Sequence, residues 1–312
     1  MALIKRASCL SAQLVRTAYI SCIRNLSDVS EVSTTERLQI ISMNTLSKHA
    51  DEFQRSGLES QKVQVNDARI HYVKSGVGNH VLLLLPGALG SSKTDFEPQL
   101  TGFNKEKFTL ISFDPRGFGQ SIPPERDWPL DYFRRDADDA VGLMKRLSYK
   151  KFSVLGWSDG GIIGLILAAQ YPELVHRLVV WGSNAYVAPT DVDLFKGLSN
   201  IDTWSARMRE PFIKVYGEKY FRAQWKNWIE AYCRYYYERD GDICKGDLKN
   251  IKCPTFIIHG KKDPLVIEEH PNYLHENISN SRLHVIPEGK HNLHLRYAKE
   301  FNQLVQTFLD ET

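Results

Sequence analysis

The chain has no uninterrupted apolar run near the roughly 18 residues that a membrane-spanning helix needs. Its longest run, around residues 81–85, is far too short. Cysteine is sparse: Cys9, Cys22, Cys233, Cys244 and Cys253 are the only five, and no two form a C-x-x-C pair. Neither a zinc site nor a disulfide framework is therefore signalled, and a reducing compartment fits. Acid is missing from the start of the chain, where nothing before Asp28 is negative. No internal repeat or low-complexity tract is visible.

Excess charge of one sign is also lacking once the leader is set aside. Residues 1–28 hold Lys5, Arg6, Arg16 and Arg24 against Asp28, which accounts for the whole formal charge of +3; the remainder balances at 36 basic and 36 acidic residues. That balance gives no basic patch for nucleic acid. The leader is also rich in serine (Ser8, Ser11, Ser21, Ser27). Basic, serine-rich and acid-poor is the composition of a mitochondrial transit peptide, so a mitochondrial location is expected. A secretory signal would need an apolar core that Arg16 and Arg24 interrupt. Residues 29–60 are polar, with Ile40, Ile41 and Met43 as the one apolar cluster, and read as a linker or extension. The folded domain is expected over residues 61–312.

What is there is an alternation of strands and helices. Residues 62–65 and 69–73 flank Asn66-Asp67, a hairpin signal. Residues 81–85 are a continuous apolar run, as in a strand buried on both faces, and 108–113 read as a second such strand. Residues 131–147 have helical spacing in Phe133, Ala137, Ala140, Val141, Met144 and Leu147. Further strands are expected at 152–155, 178–181, 255–259 and 283–286, and a closing amphipathic helix at 297–309. The alternation predicts an α/β fold, a mainly parallel central sheet flanked by helices. From about 186 to 249 the pattern changes to a helical, aromatic-rich stretch without a core strand. Between two strands of such a sheet, this reads as a helical cap over the site. Most of its aromatics are assigned to packing and a few to a substrate wall.

The most informative segment is Gly156-Trp157-Ser158-Asp159-Gly160, a G-x-S-x-G between a strand and a small-and-apolar helix. Strand, sharp turn, helix is the setting of a nucleophile elbow. A serine hydroxyl is a weak nucleophile near neutral pH and needs a base and an orienting acid. Asp263 follows the strand at 255–259 in a turn, 105 residues after the serine. His291 follows the strand at 283–286 and fits the base; His294 is its rival, while His259, at a strand end, reads as structural. The His291-x-x-His294 spacing offers no third metal ligand, and no metal is expected. Two amides must face the developing oxyanion. One is that of Asp159; the other is that of Ala88, or failing it Leu89, in the loop after residues 81–85. Asp114-Pro115-Arg116-Gly117 and the Gly119 that follows lack the third glycine of a phosphate loop. They read as a structural turn buttressing the sheet edge.

The side chain of Asp159 admits two readings of equal weight. It is a helix-start acid stabilised by the dipole, or a carboxylate that attracts a substrate cation such as an α-ammonium.

These segments resemble the α/β-hydrolase family, and within it the valacyclovir hydrolase, or biphenyl hydrolase-like, group. The resemblance covers residues 61–310. It rests on Leu85-Pro86-Gly87, Asp114-Pro115-Arg116-Gly117, the serine segment with Asp159 and Gly161, His259-Gly260-Lys261-Lys262-Asp263-Pro264-Leu265-Val266, and Pro287-Glu288-Gly289-Lys290-His291-Asn292-Leu293-His294. It implies a serine hydrolase of α-amino-acid esters, prodrug esters included. It implies Ser158 as nucleophile, Asp263 as acid, His291 as base and Asp159 as the site of the substrate's α-amino group. It also implies a mitochondrial enzyme. The long segment 29–60 departs from the family pattern. The expected partner is a small-molecule amino-acid ester, with no cofactor and a monomeric chain. The alternatives are a C–C bond hydrolase of ring-fission products on the same triad, and a non-catalytic ligand sensor on the same fold. Epoxide hydrolases and haloalkane dehalogenases use a carboxylate nucleophile where this chain has Ser158.

Overall fold

The computed structural model describes residues 57–311. The leader read over residues 1–28, and most of the linker read over 29–60, lie outside the described residues. Strands β1 (Leu58–Val65) and β2 (Ala68–Ser75) form a hairpin. Its turn is Asn66-Asp67, with Asn66 at φ +49°, a left-handed conformation that asparagine tolerates. Six further strands follow: β3 (His80–Leu85), β4 (Phe108–Phe113), β5 (Phe152–Trp157), β6 (Val175–Trp181), β7 (Thr255–Gly260) and β8 (Ser281–Ile286). They make one eight-stranded sheet in the order β1-β2-β4-β3-β5-β6-β7-β8. The pairs β1/β2 and β2/β4 are antiparallel, and every later pair is parallel.

The middle strands are buried on both faces because helices cover both. Leu82 to Leu85 and Phe108 to Phe113 are all buried, and each such large apolar side chain contributes ~1.5–3 kcal/mol. The covering helices are α1 (Ser92–Asp95), α2 (Glu97–Gly102), α3 (Tyr132–Arg146) and α4 (Asp159–Gln170), together with several in the C-terminal half. Helix α3 turns Phe133, Ala137, Ala140, Val141 and Met144 inward, but it buries Asp136 and Asp139 as well. Both acids face arginines. Arg126 forks onto Asp136 at 2.6 and 2.7 Å, and Arg116 onto Asp139 at 2.7 and 2.9 Å. Such bidentate pairing is what makes burying these charges tolerable.

The turn after β4 differs from expectation. Strand β4 lies between β2 and β3, inside the sheet, so the turn does not buttress an edge. Arg116 ties it to Asp139 of α3 and to Asp67 of the β1–β2 hairpin. Asp114 gathers the Ser92 amide and hydroxyl, the Gln120 amide and the His71 ring, all at 2.7–2.8 Å. The run is mostly apolar and every residue in it is buried, and a strand buried on both faces belongs in the interior of a sheet.

Between β6 and β7 the chain leaves the sheet for α5 (Pro189–Gly197), α6 (Ala206–Tyr216) and α7 (Glu218–Arg239). The two ends of this excursion meet: Tyr186 bridges to Asp242, and the Val187 amide donates to the Gly241 carbonyl at 2.8 Å. Its aromatics mostly pack on one another, with Phe221, Trp225, Trp228, Tyr232 and Tyr235 buried along α7. The remaining helices are α8 (Glu269–Asn277), α9 (Leu293–Arg296) and α10 (Ala298–Leu309).

Candidate active site

Ser158, Asp263, His291 and the loop of Ala88 and Leu89 each follow the carboxyl end of a parallel strand, where open α/β sheets hold their ligands. Ser158 sits between β5 and α4 with φ +54° and ψ −121°. That conformation is rare for a side-chain-bearing residue and marks strain held at a functional turn. Glycine is required beside it. A Cβ on Gly160 would lie 2.0 Å from the carbonyl oxygen of Leu85, so only glycine lets the elbow approach β3 this closely.

His291 Nε2 lies 3.1 Å from Ser158 Oγ, and His291 Nδ1 lies 2.8 Å from Asp263 Oδ2. A carboxylate can only accept, so Nδ1 carries the proton and Nε2 is free to take that of the serine. The second oxygen of Asp263 accepts from the amides of Leu265 at 2.9 Å and Val266 at 3.1 Å. Burial pushes the Asp263 carboxyl up, but the hydrogen bond and charge of His291 and the two amides outweigh it. The net position is below the ordinary carboxylate value. This arrangement can deprotonate a serine, hold the imidazole and stabilise its positive charge.

His294, the rival histidine, is buried beneath the elbow. Its Nδ1 accepts from the Trp181 indole at 3.0 Å, and its ring packs 4.6 Å from that of Trp157. Burial pushes it down to about 3, so it is uncharged at neutral pH. The ring that reaches Ser158 is that of His291. His259 is buried at the end of β7.

The loop after β3 abuts the nucleophile: a Cβ on Gly87 would be 3.3 Å from that of Ser158. The amides of Ala88, Leu89 and Asp159 have no backbone acceptor among the described residues. All three remain available to an oxyanion. Leu89 has φ +53°, a second strained residue beside the first.

The Asp159 side chain is buried, and one of its oxygens accepts from the Trp228 indole N–H at 2.7 Å. Among the described residues it has no ion-pair partner. Burial is the largest influence and pushes its carboxyl up to about 7. The Trp228 hydrogen bond and the Arg126 charge pull the other way, and the Asp136 charge adds to burial. A buried acid so sparsely partnered is costly to ionise, and an arriving cation would relieve that cost.

Two tryptophans at the site carried no individual signal in the sequence. The Trp157 indole donates to the His291 carbonyl at 3.0 Å and so fixes the histidine loop. Trp228 reaches Asp159 from the cap. Trp157 was a variable letter of the elbow and Trp228 one cap aromatic among many, and only the three-dimensional pairing shows what each holds.

Fold and elbow together define a hydrolase of the α/β class with a serine at its nucleophile position. The chain belongs to the α/β-hydrolase fold family, whose model matches residues 80–221 and 197–296. Within that family it is a serine hydrolase of the biphenyl hydrolase-like group. It is 50% identical over 254 residues to the serine hydrolase BPHL of Homo sapiens, covering 81% of this chain and 87% of the relative. A more distant relative is the 2-hydroxy-6-oxo-6-(2'-aminophenyl)hexa-2,4-dienoic acid hydrolase of Metapseudomonas resinovorans. It is 23% identical and covers 79% of this chain and 89% of that one. Among solved structures, an α/β-hydrolase enzyme from a Medee basin deep-sea metagenome library superposes with a TM-score of 0.69. It is 22% identical and spans 81% of this chain and 98% of that chain. No helix among the described residues is long and apolar enough to cross a membrane. The three described cysteines, Cys233, Cys244 and Cys253, are free and buried.

Proposed function

We propose that the chain hydrolyses esters of α-amino acids with small or apolar side chains, through an aminoacyl-enzyme on Ser158. The carrying observation is Asp159, a buried carboxyl directly after the nucleophile that has, among the described residues, a single Trp228 hydrogen bond and no ion-pair partner. The chemical group that satisfies it is a substrate ammonium.

In this reading His291 takes the proton of Ser158 as the hydroxyl oxygen bonds to the ester carbonyl carbon. Asp263 holds the imidazole and stabilises its charge. The oxyanion rests on the amides of Asp159 and of Ala88 or Leu89. The carbonyl then re-forms and the ester C–O bond breaks, with His291 returning the proton to the departing alcohol. Water, deprotonated by His291, attacks the aminoacyl ester and releases the amino acid and Ser158. No cofactor enters. Ser158, His291 and Asp263 come from one chain, which supports a monomer as the active unit. Residues 1–28 serve as a mitochondrial transit peptide. Retention of a fluorescent fusion of residues 1–30 in the cytosol would contradict that part.

The dienoic acid named for the Metapseudomonas relative would bring a negative charge toward Asp159. C–C bond hydrolysis of such acids is therefore the weaker reading. Labelling of Ser158 by a fluorophosphonate probe separates an enzyme from a ligand sensor. The deciding experiment compares valyl and phenylalanyl esters with free and N-acetylated amines, alongside a vinylogous diketo acid. Free-amine esters should lead in kcat/KM by on the order of a hundredfold, the scale of a buried charge pair. Equal turnover of acetylated esters, or preference for the diketo acid, would overturn the reading.

A further inference from the structure

The loop carrying Ala88 and Leu89 is held at three points, and one of them belongs to the cap. From the sheet side, Asp95 Oδ2 accepts from the Gly87 amide at 3.0 Å. Within the loop, the Gly90 amide donates to the Gly87 carbonyl at 2.9 Å. From the cap, the Tyr216 hydroxyl donates to the Leu89 carbonyl at 2.7 Å and accepts from the Gly119 amide at 2.9 Å. Tyr216 is the last residue of α6, immediately before Gly217 and α7.

Leu89 is the residue that needs holding. A leucine at φ +53° is strained and persists only where its surroundings over-determine it. The Gly87–Gly90 hydrogen bond closes the turn but does not engage the Leu89 carbonyl. That carbonyl fixes the orientation of the peptide leaving Leu89, and its partner is Tyr216. Burial pushes the Tyr216 phenol above its ordinary value, with the Asp114 and Asp95 charges adding to it, so the hydroxyl stays protonated and remains a donor.

We propose that Tyr216 is a positioning residue for the oxyanion turn: by holding the Leu89 carbonyl it keeps the strained turn in its catalytic shape and makes transition-state stabilisation depend on the seated cap. The proposal rests on the reading of the Ala88 or Leu89 amide as an oxyanion donor. Tyr220, one turn further on, supplies the control. Its hydroxyl donates to the Gly117 carbonyl at 2.8 Å and accepts from the Arg126 amide at 3.2 Å. It also ties the cap to the loop after β4, and its ring stacks on that of Tyr216 at 5.8 Å, but its hydroxyl makes no hydrogen bond to the oxyanion turn.

The test compares Tyr216→Phe with Tyr220→Phe in the full chain. It measures kcat and KM on a valyl ester, inhibition by the boronic-acid analogue of valine, inhibition by free valine, and melting temperature. The boronate forms a tetrahedral adduct with an oxygen in the oxyanion hole, and valine does not. In the unaltered protein the boronate should bind at least about a hundredfold tighter than valine, as transition-state analogues do. Equal binding would refute the oxyanion reading itself. Given that difference, Tyr216→Phe should lower kcat and boronate affinity together by roughly ten- to a hundredfold, with KM and valine binding nearly unchanged. Tyr220→Phe, at a similar melting temperature, should leave boronate affinity within about twofold. The proposal is overturned if Tyr216→Phe leaves boronate affinity intact. It is equally overturned if boronate and valine affinities fall by the same factor, since that reports a loosened pocket, or if Tyr220→Phe matches the Tyr216→Phe losses.

Discussion

Two carboxylates flank Ser158, one on the sheet side and one on the cap side, and they are treated oppositely. Asp263 has both oxygens engaged, by His291 and by the amides of Leu265 and Val266, and it stays ionised despite its burial. Asp159 is as deeply placed but has one hydrogen bond from Trp228, and burial raises it to about 7. The difference teaches that burial alone does not set the charge of an acid: the number of its partners does. A saturated acid orients a base and stabilises its charge through the whole cycle. An undersatisfied acid is the one that a ligand cation would complete in the proposed reading. The contrast also divides the molecule, because loops at strand ends complete the first site and the cap helix α7 touches the second.

The largest effect removes what the two sides share. Ser158→Ala should reduce hydrolysis of a valyl ester by on the order of 10⁵–10⁶ in kcat, with the melting temperature little changed. On the sheet side, Asp263→Asn should cost about 10⁴ in kcat through the wrong imidazole tautomer, with KM barely moved. On the cap side the loss should fall on binding instead. Trp228→Phe keeps the ring but frees the Asp159 carboxylate, and should raise KM about tenfold for free-amine esters only. Steady-state kinetics on paired free and N-acetylated esters reads both. If Trp228→Phe lowered kcat equally on both esters, the division between sheet side and cap side would fail.

pH sharpens the same contrast. The Asp159 carboxyl gains its charge as pH rises through about 7, and a substrate α-amine loses its charge near about 8. KM for free-amine esters should therefore fall from pH 6 to between 7 and 8 and then rise. Asp95, also raised to about 7 by burial, lies beneath the oxyanion turn and affects every ester. The N-acetylated ester subtracts its contribution, so a KM profile identical for both esters would count against Asp159.

The smallest effect is on stability. A carboxyl raised above its unfolded value keeps its proton in the folded state while the unfolded chain has lost it. Stability is thus lost as pH rises from the unfolded value near 4 toward about 7. Asp159→Asn has no such loss, so it should melt higher than the unaltered protein above pH 7. The gap should narrow toward pH 4 in thermal melts.

The sheet side was the more legible in the sequence, for a physical reason. Strongly apolar runs such as 81–85 report burial on both faces, and the positions of Asp263 and His291 follow from strand ends. The elbow is local chemistry, with glycine needed where Gly160 meets the Leu85 carbonyl. The cap side depends on pairs far apart in the chain. Trp228 lies 69 residues from Asp159, and Tyr216 lies 127 from Leu89. Helical periodicity says that such aromatics are inward, not which indole or phenol finds a partner. Buried Asp136 and Asp139 were hidden likewise, since their arginines come from loops before α3.

The most direct test of the central claim is kcat/KM of Asp159→Asn on a valyl ester with its amine free and acetylated. The substitution keeps the backbone amide and removes only the charge. The account predicts that the free-amine ester loses on the order of a hundredfold while the acetylated ester changes little, so the preference collapses. Equal losses on both esters would contradict it and leave Asp159 a structural acid at the start of a helix.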